Sequence, residues 1–316
     1  MARPPKNLHI PMRNGVSASS LALPSVRQPP WATVLAALAD LLPKVSHAEW
    51  HARMANGQVM DELGQALPPD APFQKCLRVY YWRDLPQEPP IPFAHTVLFR
   101  DEHLLVADKP HFLPVTPGGR YVKETLLARL KDSLNLPELS PLHRLDRETA
   151  GVVAFCLRPQ DRDAYQRLFR ERQVHKVYEA MAALSPAAPS TVCPLARRSH
   201  IRENPAQFFR MEEALPAEGL PTNSETHIEL LAEQHGHGLF RLTPISGKRH
   251  QLRVHMAALG WPLVGDQFYP NVLRAPGEHE DFAQPLRLLS RELAFADPVT
   301  GQARVFTSQQ VLAWPG

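Results

Sequence analysis

Six consecutive apolar residues, Val152-Val153-Ala154-Phe155-Cys156-Leu157, follow directly on a polar loop that reads Leu142-His143-Arg144-Leu145-Asp146-Arg147-Glu148-Thr149-Ala150-Gly151. A short apolar run bounded by a Gly-containing turn reads as a buried strand. The chain must therefore build a sheet around this run, and the loop ahead of it presents the carboxylate of Asp146 beside positive charge. A carboxylate set among arginines can serve as a nucleophile or a general base. An ordinary surface Arg–Asp pair would use the same residue types.

The chain has 316 residues, enough for two domains or for one domain with an appendage. With 44% hydrophobic and 21% charged residues it belongs to the globular class. The net charge of +3 allows nucleic-acid binding, but any basic footprint must be local. Cys76, Cys156 and Cys193 are widely spaced and odd in number, which speaks against a disulfide framework or a zinc ribbon. No apolar run reaches the roughly 18 residues of a membrane span. The start, Met1 to Lys6, is basic and no apolar signal core follows it. The expectation is a cytoplasmic protein without a membrane segment.

Residues 1–30 are rich in Pro, Ser and basic side chains, which predicts an extended or mobile lead-in. Trp31, Val34, Leu35, Leu38 and Leu42 recur at helical spacing, and Pro43 ends that helix. A second helix is expected over about Ser46 to Ala55, with Ser46 as N-cap and Gly57 at its end. Two short helices, a Gly turn and short strands up to residue 86 resemble an S4-like RNA-binding module; a plain helical cap would read the same. Residues 87–95, with Pro89, Pro90 and Pro92, predict an extended linker before a main domain over 96–316. That domain opens with a hairpin, Thr96–Phe99 and His103–Ala107. It continues with helices at 123–131, 160–172 and 248–259, and strands at 175–182, 225–232 and 239–245. Strands without regular βαβ alternation predict an α+β fold on a mixed, mostly antiparallel sheet flanked by helices, with the small α/β appendage in front.

Three stretches, in order, resemble the motifs of the RluA family of RNA pseudouridine synthases. The first is the Asp146 loop, similar to the family's His-Arg-Leu-Asp-x-x-Thr-Ser-Gly. The second is His175-Lys176-Val177-Tyr178, similar to its basic-then-Tyr motif. The third is Pro244-Ile245-Ser246-Gly247-Lys248-Arg249-His250-Gln251-Leu252-Arg253-Val254-His255-Met256, similar to Thr-Gly-Arg-x-His-Gln-Ile/Leu-Arg-x-His. Gly260 to Tyr269 also looks like the family's Gly-x-Pro-Ile/Leu-x-Gly-Asp segment. The resemblance covers roughly residues 95–312. Ala150 and Lys248 stand where the family usually has Ser and Arg, and Cys156 near a usual Ala. Lys248 gives up bidentate recognition of a phosphate or carboxylate.

The resemblance implies an isomerase that turns uridine in structured RNA into pseudouridine, with no cofactor and no metal. It implies Asp146 as catalytic nucleophile or base, Tyr178 stacking on the target base, and Arg253 pairing with the aspartate. His143, Arg144, Lys176, Lys248, Arg249 and His250 are the expected RNA-binding residues. The target nucleotide must leave the stack, at a cost of a few kcal/mol, and Arg144 is the candidate to fill the vacated space. Lys248, Arg249 and His250 would crowd a helix N-terminus, where cations are disfavoured unless an anion docks; they could equally reach into solvent. Arg197, Arg198, Arg202 and Arg210 are further candidates for phosphate contacts, or a solvated loop.

Ribosomal RNA is favoured over transfer RNA, and a monomer is expected. The competing reading is an inactive RNA-binding protein of the same fold, against which Asp146, Tyr178 and Arg253 stand together. A zinc site on His143, His250 and His255 is disfavoured: a spacing of five places the last two ~140° apart on a helix. A glycosidase lacks its second carboxylate.

Overall fold

The computed structural model describes residues 10–82, 88–184, 193–274, 278 and 281–315. The chain forms two compact units. The first comprises the described residues up to Glu88 together with Gly118–Lys123 and Ala128–Pro137. The second comprises Pro89–Pro117, Glu124–Leu127 and the described residues from Glu138 onward. The expected boundaries are thus modified, because two segments from the start of the expected main domain pack with the N-terminal unit.

The N-terminal unit runs β1 (Ser19–Ala22), α1 (Val34–Leu41), α2 (His47–Ala55), β2 (Val59–Met60) and β3 (Arg78–Tyr81). Thr33 caps α1, and Ser46 caps α2 in a capping box with Glu49. Gly57 leaves α2 at a φ of 63°. Trp50, Leu35, Leu38 and Val79 fill the core between helices and sheet. Part of the expected lead-in is a paired strand. Residues 1–9 lie outside the described residues, but β1 pairs antiparallel with β3, Ser19 opposite Tyr81, and Leu23 is buried. Leu21 and Leu23 alternate as a strand edge that the surrounding Pro and Ser conceal.

The expected linker is docked from Glu88 on; residue 87 lies outside the described residues. Glu88 accepts the amides of Val122 and Lys123 in the first unit. In the second, the amide of Ile91 donates to Glu124.

The second unit is built on one large sheet. Its elements are β4 (Thr96–Arg100), β5 (Leu104–Lys109), the first two residues of α3 (Leu126–Leu134), whose remainder belongs to the first unit, β6 (Ser140–Pro141), β7 (Ala150–Cys156) and α4 (Arg162–Arg170). These are followed by β8 (His175–Ala183), β9 (Leu195–Ser199), β10 (Ile201–Glu203), β11 (Met211–Glu213), β12 (Ser224–Gln234) and β13 (His237–Pro244). The chain closes with α5 (Gln251–Ala258), β14 (Leu288–Ala296) and β15 (Ala303–Thr307). The strand order is β4-β5-β7-β14-β8-β13-β12-β9, with β15 on β14 and β6 on β7. Every pair is antiparallel except β7 with β14. The mixed, mostly antiparallel α+β expectation holds.

All seven residues of β7 are buried, as the apolar run requires. Tyr165 and Leu168 of α4 pack with Val152, Ala154 and Phe295, while Leu252 and Met256 of α5 pack with Phe240 and Leu288.

The insertion of β14 between β7 and β8 positions the site. Ser290 lies opposite Gly151 on one side and Tyr178 on the other. Gly151 has a φ of 110°, and a Cβ there would come within 2.2 Å of the Ser290 carbonyl oxygen. Only glycine lets the two backbones approach so closely.

Candidate active site

Asp146 sits on the loop that enters β7, Tyr178 and Lys176 on β8, and Arg253 on α5. These elements enclose a cleft of about 660 Å³, within the range of roughly 300–1,000 Å³ found for ligand clefts. Among the described residues Asp146 is the only carboxylate that lines it, against eight lysines and arginines. Arg253 Nη1 approaches Asp146 Oδ2 at 3.5 Å, and His250 Nε2 lies 3.8 Å from the same oxygen.

Arg253 is buried to 1% and is held mainly from behind. Its Nε and Nη2 donate to the two oxygens of Asp266 at 2.8 and 2.7 Å, a bidentate pair. Asp266 also accepts the amides of Phe268 and Tyr269. Nη1 is therefore left to face Asp146, with Glu148 3.8 Å away. Burial works against the charge of Arg253, but Asp266 first, then Asp146 and Glu148, hold its pKa above the ordinary value. Burial likewise pushes the Glu148 carboxyl up, and Arg147 and Arg253 outweigh it, bringing it down to about 2.

Tyr178 lines the cleft, and burial pushes its phenol up to about 12, with Asp146 adding to the rise and a hydrogen bond from Ser290 opposing it.

The expected RNA-binding residues separate into two groups. His143, Arg249 and His250 are engaged with the protein. His143 Nε2 accepts the Ala154 amide and its ring stacks on Phe169; burial first, then Lys176, hold it down at about 3, a neutral ring. His250 Nδ1 shares a hydrogen bond with the Tyr269 hydroxyl. Arg249 donates to the carbonyls of Phe208 and Phe209. Arg144, Lys176 and Lys248 behave differently: with Arg170 and Arg172 they line the cleft, and none of these five side chains has a hydrogen bond or ion pair among the described residues. Burial lowers the pKa of Lys176, and Arg172 adds to the effect.

The helix of the third motif starts later than its spacing predicts. His250 takes a left-handed φ of 54° and α5 begins at Gln251. The Gln251 side chain closes the turn, accepting from the Ser246 hydroxyl and the Lys248 amide. Lys248, Arg249 and His250 thus belong to a loop ahead of the helix, and Arg249 shares no helical face with Arg253. The four further candidates for phosphate contacts are also engaged elsewhere. Arg197 pairs with Glu213, Arg198 with Glu225, and Arg202 with Glu212 and Glu218, while Arg210 bonds the Pro270 carbonyl.

A family model described as RNA pseudouridylate synthase matches residues 103–258. An uncharacterized RNA pseudouridine synthase of Synechocystis is 33% identical over 220 residues, 70% of this chain and 73% of that one. The dual-specificity RNA pseudouridine synthase RluA of Escherichia coli is 32% identical over 222 residues, 70% of this chain and 94% of that one. The chain belongs to the RluA family of RNA pseudouridine synthases. Like the family, it is an isomerase that converts uridine in RNA to pseudouridine. The solved human RNA pseudouridylate synthase domain containing 4 is 25% identical with a TM-score of 0.50, covering 68% of this chain and 88% of its own. Domain containing 1, at 23% identity and a TM-score of 0.55, shares the fold over 71% of this chain and 86% of its own.

Three polar residues of this pseudouridine synthase escaped the sequence reading. Asp266 was visible only as part of a Gly-Asp segment. Glu148 carries no assigned role in the first motif, although it lies within ion-pair distance of Arg253. Lys109 is fully buried and donates to the carbonyls of Pro110, Leu113 and Arg147, so it ties the start of the unit to the Asp146 loop. Burial pushes it down to about 7, while Glu148 and Asp146 favour its charge. No local pattern marks such a residue, because its acceptors come from loops brought together only by the fold.

Proposed function

We propose that Asp146 is the catalytic carboxylate of the uridine-to-pseudouridine isomerisation, with Tyr178 and Arg253 beside it. One observation carries this reading: among the described residues a lone carboxylate faces a cleft that eight lysines and arginines also line. The cations suit an RNA backbone, and the carboxylate held beside Arg253 can act as nucleophile or base. The reaction breaks the bond from ribose C1′ to N1 and forms one from C1′ to C5. The C5 proton leaves and N1 gains one, so no atom is lost and no oxidant is needed. Arg253 orients the carboxylate through Nη1 while Asp266 fixes the guanidinium. Tyr178, protonated at neutral pH with its pKa near 12, supports the flipped base by stacking. Arg144, exposed and unpartnered among the described residues, is free to enter the vacated space; Lys176 and Lys248 are suited to phosphates.

Ribosomal RNA is our favoured substrate, with transfer RNA second. Relatives named dual-specificity synthases support testing both, and the N-terminal unit is proposed to add RNA contacts. A cytoplasmic monomer completes the proposal; sedimentation of the purified chain tests its monomeric state. The deciding experiment maps pseudouridine across total RNA from cells lacking the gene, complemented with wild type or Asp146→Asn. We expect one or a few sites to vanish and to return only with wild type. Sites restored by Asp146→Asn would remove Asp146 from the chemistry.

A further inference from the structure

The loop Asn204–Arg210, between β10 and β11, is tightly fixed. The Asn204 side chain accepts the amides of Ala206 and Gln207, and Arg210 bonds both the Gln207 side chain and the Pro270 carbonyl. Arg249, a cleft-lining cation of the third motif, donates from Nη1 and Nη2 to the carbonyls of Phe208 and Phe209. At the tip of this rigid loop Phe208 is 79% exposed, the only exposed Phe, Tyr or Trp among the described residues. Leaving a Phe in water forfeits roughly 1.5–3 kcal/mol of burial, and a loop so well hydrogen-bonded has no need of the ring for its own shape.

Its surroundings point to what the ring faces. Phe208 meets Phe209 edge-on at 5.7 Å, Phe209 meets Phe268 at 5.3 Å, and Phe268 lies under the Arg253 guanidinium at 5.2 Å. An aromatic line therefore runs from Arg253, beside Asp146, out to Phe208, whose carbonyl is held by the cleft-lining Arg249, in a cleft that also carries five unpartnered cations. Aromatic faces interleaved with free cations are the means by which proteins hold unpaired nucleotides.

We propose that Phe208 is a stacking platform for an unpaired nucleobase of the RNA flanking the target uridine, presented at the rim of the cleft by Arg249. The inference deepens the reading that RNA lies in this cleft. Phe208 then favours substrates whose target sits in a loop, where a neighbouring base is free to turn outward. Arg249 is a positioning residue that acts through the two carbonyls.

The test uses full-length protein carrying Asp146→Asn, so that binding is read without turnover and independently of which residue performs the chemistry. The probes are a fluorescent single-stranded oligouridine and an oligomer of equal length and charge in which every sugar is abasic. Phe208→Ala is expected to weaken oligouridine binding by between about 5- and 100-fold, the range of a lost base–aromatic stack, with no comparable loss on the abasic oligomer. Phe208→Trp should retain the affinity, and Arg249→Ala should reproduce part of the loss. Val311→Ala, at a side chain 80% exposed, is the control for removing surface apolar area. A Phe208→Ala protein within about two-fold of its parent on oligouridine would overturn the proposal. An equal loss on both oligomers would overturn it too, since the ring would then be acting on loop shape or on phosphates. Catalytic failure of Asp146 would show only in the mapping experiment, so the two readings fail separately.

Discussion

Two aspartates share the guanidinium of Arg253, and their surroundings give them opposite sensitivities. Asp266 is enclosed, with both oxygens on Arg253 and two backbone amides on one of them. Asp266→Asn removes the charge that lets Arg253 be buried, and breaking a buried pair of this kind costs about 3–5 kcal/mol. In a unit of this size each kcal/mol lowers Tm by about 2–4 °C, so a thermal melt should show a fall of roughly 6–20 °C. Asp146 is 26% exposed in its side chain and meets Arg253 only at 3.5 Å. Asp146→Asn should therefore change stability by about 1 kcal/mol or less while removing turnover. If the two variants melted alike, the division of labour at Arg253 would be wrong.

At the scale of elements, the pairing of β14 with both β7 and β8 brings the Asp146 loop and Tyr178 to one place. In Gly151→Ala the new methyl meets the Ser290 backbone at 2.2 and 2.7 Å, and neither strand can yield without breaking pairs. Overpacking and the positive φ each cost about 1–3 kcal/mol, so a loss of roughly 2–6 kcal/mol is expected in urea titration, together with reduced activity. Gly301→Ala also sits at positive φ, with nothing within 4 Å, and should lose only about 1 kcal/mol. Much of this level was legible in advance. The buried run of β7, the opening hairpin and the capped α2 announce themselves through local period and capping chemistry. The place of β14 does not, because pairing between distant segments leaves no local trace. The start of α5 was misplaced for a similar reason: Lys248, Arg249 and His250 carry no helix breaker, and the turn is closed by the side chain of Gln251.

At the scale of the whole molecule, buried imidazoles couple the fold to pH. Burial holds His111 and His255 down at about 4 and His143 at about 3. An unfolded chain protonates these rings near pH 6.5, whereas the folded chain resists until about pH 4. The contribution to stability is complete above about pH 6.5 and is lost on acidification toward about pH 4, by up to about 1.4 kcal/mol per unit for each ring. Urea midpoints taken near pH 7 and near pH 5 should differ by more than about 2 kcal/mol in stability, the acidic sample being weaker. Equal midpoints would mean that the rings are solvated or already charged.

Charge also marks the limit of reading the site from sequence. The order of the three motifs points to Asp146, Tyr178 and Arg253, but the sequence offers Arg197, Arg198, Arg202 and Arg210 for phosphate and leaves Arg170 and Arg172 without a role. Only the fold shows that the first group spends its charge on neighbouring glutamates and a carbonyl, and that the second leaves it facing the cleft.

The insertion of β14 also sets an order of events during synthesis. Asp146, Tyr178 and Arg253 all precede Leu288–Ala296 in the chain, and domains assemble as the chain emerges. A nascent polypeptide can thus expose every reactive group and still lack the strand that joins their supports. Activity toward RNA is then expected only once β14 has joined β7 to β8.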